Sequence, residues 1–202
     1  MTTPPRAVTP PQIDAVRLSA RRSIERWRPL VLGDLPTSAP DRRSREAYLA
    51  VLSALDPRHH ARYQPSRSSM WCNILSWDAT CALGCEVPHW VLRPGGDPRK
   101  IEDWNELDAN ETAEWLGSSA GRAAGWHPID RHQAEAMTAG GFPVVIAWAN
   151  RSGSGHVAMA MPPREDGLLR CCAAGAVCVW DVPIVKSFGD LGAREAIYYG
   201  HD

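Results

Sequence analysis

The apolar positions of this chain follow two different periods. Up to about residue 140 they recur every three or four residues, as helices require. Ile13, Val16, Ala20, Ile24 and Trp27 predict an amphipathic helix over 11–28, whose other face carries Arg17, Arg21, Arg22 and Arg28. That basic face fits solvent or an acidic partner. Residues 29–41 hold three prolines and read as a connector. Tyr48, Leu52 and Leu55 predict a second helix over 41–56, stopped by Asp56-Pro57. Cys72, Leu75, Ala79 and Ala82 share one stripe of a third helix, ended by Gly84. Residues 86–109, rich in Pro, Gly and Asp, read as a long surface excursion. Asn110 is the expected N-cap of a helix over 111–117. A further helix runs through HQAEAMTA to Gly140-Gly141.

Beyond that point the pattern changes. PVVIAWA (143–149) is a continuous apolar run and HVAMAM (156–161) an alternating one, with a glycine-rich turn between them. The pair predicts a hairpin. LLRCC, VCVWDVPI and AIYYG predict further strands. Helices first and an antiparallel sheet last make an α+β protein. In the strand over 156–161, His156, Ala158 and Ala160 share one face. The two alanines leave room there for a helix to approach closely.

Composition narrows the function. Lys+Arg 22 against Asp+Glu 23 leave a net charge of −1, which supplies no field for nucleic acid or an anionic membrane as partner. Nine Trp against two Phe suit either a groove for sugars or peptides or a Trp-rich core. Residues 1–10 are rich in Pro and Thr and read as disordered, with no apolar h-region. Synthesis in the cytoplasm without a signal peptide is the expectation, and an extracellular role would need a signal-independent injection or lysis route. Six cysteines in such a chain are expected to be reduced. Cys81, Cys85 and His89 stand four apart, but Gly84 and Pro88 interrupt them and no fourth ligand follows. Neither a metal nor a cofactor is expected.

Two residues can carry chemistry. Cys72 lies where a polar loop becomes a helix, and a helix N-terminus favours a thiolate. Its pKa is therefore expected to be depressed. His156 opens a strand after a glycine turn and can serve as the base if the helix crosses the sheet there. Each residue taken singly also reads as ordinary core.

The segments RYQPSRSSMWCNILSWDATCALG, GSGHVAMAMP and AAGA…SFG together resemble the papain-like amidohydrolases of bacterial cell walls, the NlpC/P60 and CHAP families. The resemblance covers about residues 60–200 and rests on motifs. It implies a papain-like core over 58–202, preceded by a disordered and helical extension over 1–57. It makes Cys72 the nucleophile, His156 the base and Tyr63 the upstream tyrosine that lines the site or donates to the oxyanion. Asn73 stands beside the nucleophile as a weaker substrate-binding candidate. The triplet Trp71-Cys72-Asn73 departs from the usual Asp-Cys-Ser. LLRCCAA offers no His, Asn, Gln or acid to orient the histidine, so Asp181 further on stands as a weaker third member, with a backbone carbonyl or a water as the alternatives.

The implied activity is cysteine-dependent hydrolysis of amide bonds in peptidoglycan peptides, by a lysin or a secreted antibacterial effector. An immunity protein or a delivery apparatus would then be its partner. The alternatives are a cytosolic cysteine protease or deamidase acting on a protein, and a non-enzymatic binding module.

Overall fold

A computed structural model of the 202-residue chain describes residues 9–10, 30, 32–66 and 69–202. The helix expected over 11–28 lies outside the described residues. Among those described there are six α-helices: α1 (Arg45–Ala54), α2 (Cys72–Ala82), α3 (Ala109–Gly117), α4 (Ser119–Ala123), α5 (Arg131–Ala139) and α6 (Val185–Glu195). None is long and apolar enough to cross a membrane.

Strands β1 (Trp90–Leu92) and β2 (Trp104–Glu106) form an antiparallel hairpin inside the 86–109 excursion. The main sheet is built from β3 (Trp126–Ile129), β4 (Val144–Trp148), β5 (His156–Met161), β6 (Arg170–Ala173), β7 (Val179–Pro183) and β8 (Ile197–His201). Its order is β3-β8-β4-β5-β6-β7, and every pairing is antiparallel. The protein is therefore α+β.

Alternation along the strands sorts the core into two layers. Val145, Ala147, Val157, Met159 and Tyr199 meet α1, α2 and α3 on one face. Val144, Ile146, Ala158 and Ala160 meet α5 and, through Phe188, α6 on the other. Helix α2 therefore takes the face bearing Val157 and Met159, not the alanine face expected from the sequence. Branched and long apolar side chains give that face more surface to bury than two methyl groups do.

Local chemistry sets the helix ends. Ser44 caps α1 by accepting from Ala47 N at 3.1 Å. Asp108, rather than Asn110, caps α3, in a reciprocal capping box with Glu111. Asn110 instead ties α3 to the β4–β5 turn, accepting from Asn150 N at 2.8 Å and donating to Gly153 O at 2.9 Å.

The expected division after residue 57 runs through one core. Tyr48, Val51, Leu52 and Leu55 of the α1 region are fully buried in the same cluster as Leu75 and Ala79 of α2. Arg62 and Tyr63 close this core from the loop side. The Arg62 guanidinium contacts Asp78 at 2.6 and 3.0 Å, and the Tyr63 hydroxyl donates to the same carboxylate at 2.8 Å. Burial pushes the Asp78 carboxyl up, while Arg62 and Tyr63 pull it down. Replacing Asp78 by Ala would take the carboxylate away from a guanidinium whose side chain is only 7% exposed. A loss of about 3–5 kcal/mol is expected in urea unfolding. A loss below about 1 kcal/mol would mean that water replaces the carboxylate there.

Candidate functional site

Helix α2 begins at Cys72 because the preceding loop ends in Trp71, whose backbone is non-helical. No side chain caps the first turn. The Cys72 side chain is nearly enclosed, with the residue 5% exposed, and its sulfur meets the backbone amides of Val157, Asn73 and Cys72 itself. These N–H groups pull the thiol pKa down, but burial pushes it up and wins, with the Asp108 carboxylate adding to the rise. The expected depression of the Cys72 pKa is thus reversed, because desolvation exceeds what the helix terminus returns.

The consequence is testable by alkylation. Iodoacetamide should label Cys72 slowly at neutral pH, and the rate should climb about tenfold per pH unit until the raised pKa is reached. A rate that is flat through the neutral range would show a thiolate already formed.

His156 points away from α2, into the layer containing Phe188. The ring packs edge-on against Phe188, with centroids 4.6 Å apart and planes at 65°. Its Nε2 lies 2.9 Å from Ser187 Oγ. Ser187 also hydrogen-bonds the Cys171 thiol. Whether Nε2 or the Ser187 hydroxyl donates depends on the imidazole tautomer; with Nε2–H donating to the hydroxyl, Nδ1 is the basic nitrogen. Gly175 makes room for the ring, since a Cβ there would come within 3.3 Å of Cε1. Burial lowers the His156 pKa to about 4.

Cys72 and His156 adjoin without pairing. The sulfur touches the amide of Val157, the residue next to His156, but no hydrogen bond joins thiol to imidazole among the described residues. Cys72 opens on a cleft of about 280 Å³, and His156 on a recess of about 260 Å³. Met70 and Gly155 line both.

Asn73 lines the Cys72 cleft, with its amide donating to Leu107 O at 2.7 Å. Tyr63 does not reach the site. It is fully buried, and its hydroxyl is committed to Asp78 on the helix that carries Cys72. Asp181 does not reach His156 either. Its carboxylate binds Arg170 Nε at 2.7 Å and Arg164, two oppositely charged groups that outcompete a neutral imidazole. Ser187, on the first turn of α6, holds the position expected of Asp181. The SFG segment contained it, but nothing in the strand pattern assigned it a role.

His89 was also missed as a cleft residue. It is held between Trp77 and Trp90, with ring centroids 4.9 and 5.3 Å away. Glu106 Oε1 lies 2.9 Å from its Nε2, off the direction of a hydrogen bond, and Asn73 Nδ2 lies 3.5 Å from its Nδ1. Its position next to Pro88 in an irregular segment hid it from any periodicity. Cys85 engages Arg43 instead of joining His89. No group of three or more His, Cys, Asp or Glu suited to a metal occurs among the described residues. All six cysteines are free thiols. Trp90 is core, and Trp104 and Trp115 pack against it, so none of the three lines the Cys72 cleft.

No protein-family model matches this chain, and no curated protein matches it.

Proposed function

We propose that the protein is a cysteine-dependent hydrolase of amide bonds in peptidoglycan peptides, of the papain-like NlpC/P60 or CHAP kind. One observation carries the reading. A cysteine at the uncapped start of a core helix meets a strand one residue after a histidine whose Nε2 is anchored on a hydroxyl. That leaves Nδ1 as the nitrogen able to exchange a proton.

In this reading substrate entry displaces Met70, which lines both recesses, and the His156 side chain turns from the Phe188 layer toward Cys72, where Nδ1 takes the thiol proton. The sulfur then bonds to the amide carbonyl carbon. The first-turn amides of α2 stabilise the oxyanion, a role Tyr63 cannot share. Protonated His156 gives its proton to the departing nitrogen as the C–N bond breaks, and water releases the acid from the thioester. This reading carries with it a lysis or injection route and an immunity protein as expected partner.

A second reading, a non-enzymatic binding module, draws on the raised Cys72 pKa and the unpaired dyad. Purified sacculi incubated with the wild type and with Cys72→Ala, followed by mass spectrometry of the released peptides, separate the two. New peptide termini from the wild type alone identify the enzyme and the bond it breaks. Sacculi left intact by both would remove the peptidoglycan reading.

A further inference from the structure

A second cavity, of about 430 Å³, opens between α3, the adjoining ends of β4 and β8, and the end of α6. That volume suits a small ligand. Its wall carries a feature that the packing of the protein leaves unexplained. Tyr199 is 5% exposed, yet its hydroxyl has no hydrogen-bond partner among the described residues. The hydroxyl sits beside Gly117 in the cavity lining, where a Cβ would come within 3.1 Å of it. The hydroxyl oxygen is not itself a buried atom; it faces the cavity, where solvent or a ligand can hydrogen-bond it.

The remaining groups indicate what that is. Trp148 is fixed at the cavity by its indole N–H, which donates to Glu195 Oε2 at 3.0 Å, and by close packing on Gly192. Glu114 and Arg151 stand exposed at the rim. Aromatic surface, carboxylates, a guanidinium and a free hydroxyl around one space suit a neutral polyhydroxylated ring. Two carboxylates disfavour an anion. A purely apolar ligand would leave the tyrosine unsatisfied.

The cavity shares its walls with the Cys72 cleft. Ala109 at the start of α3 lines the cleft and Gly117 at its end lines the cavity, about 12 Å further along the helix. The β4–β5 turn, held to α3 by Asn110, supplies Arg151 to the cavity and Ser154 and Gly155 to the cleft.

We infer that the Tyr199 cavity is a saccharide subsite. It holds a hexopyranose ring of the glycan strand while the attached peptide reaches Cys72. The assignment of the sugar to a glycan–peptide substrate rests on the proposed hydrolase reading.

Binding of chitotetraose, measured by calorimetry without any turnover, tests the site separately from catalysis. The wild type and Cys72→Ala should bind it equally. Tyr199→Phe keeps the ring and removes only the hydroxyl, and should weaken binding about fivefold. Glu114→Ala, at an exposed position that folding does not depend on, should weaken it as well. No saturable binding at millimolar saccharide would overturn the assignment, as would affinity unchanged in both variants. An alanine tetrapeptide bound there in place of the sugar would overturn it in favour of a peptide subsite. Loss of hydrolysis alone would leave it standing.

Discussion

Cys72→Ala is expected to lower the hydrolysis of wall peptides by about 10³-fold or more. The thiol is the only nucleophile at the start of α2, and alanine has nothing to form a thioester with. The fold should survive. Cys72 contributes one sulfur to the core, and removing it should cost about 1 kcal/mol. A melting curve close to that of the wild type, together with lost turnover, separates chemistry from stability. Retained turnover would sink the nucleophile assignment and turn attention to His89 and Glu106 in the same cleft.

His156→Gln is expected to reduce turnover by about 100- to 10,000-fold, because glutamine has no ionisable proton to exchange. The same change should alter how stability depends on pH. In the folded protein burial holds the His156 pKa at about 4, whereas an unfolded histidine titrates near ~6.5. Between these values the unfolded chain binds a proton that the folded one refuses. The contribution is fully present above the unfolded pKa and is lost as pH falls through the folded one. The acid-side loss traceable to this residue is about 3 kcal/mol. Unfolding measured from neutral pH down to about 4 should therefore fall less steeply in His156→Gln. An identical slope in the two proteins would show that the imidazole is solvated. Ser187→Ala should slow turnover and widen the pH profile by releasing Nε2, while Asp181→Asn should leave turnover unchanged.

The helices over 45–54 and 72–82 and the hairpin strands 144–148 and 156–161 were legible because their apolar spacing is local and strong. The short strand at Trp126–Ile129 and helix α6 were not. WHPI has no alternation, and Gly189, at φ 68° inside α6, breaks the period that would announce a helix. The hairpin within 86–109 also escaped notice, being two strands of only three residues each in a segment dominated by Pro, Gly and Asp.

What the sequence by itself determined is the order of elements, the placement of Cys72 at a helix start and of His156 at a strand start, and the two-sided alternation of β5. Each follows from contacts within a few residues of chain. Tertiary structure alone decided which face of β5 the helix covers, since both faces are apolar and only total buried surface distinguishes them. It also decided that Ser187 rather than Asp181 reaches the imidazole. Asp181 meets Arg164 and Arg170 across the sheet edge, while the first turn of α6 comes back over β5. The protonation of the site belongs to the same level. A helix terminus favours a thiolate locally, but the charge state depends on how much water the whole fold removes, and at Cys72 it removes nearly all of it.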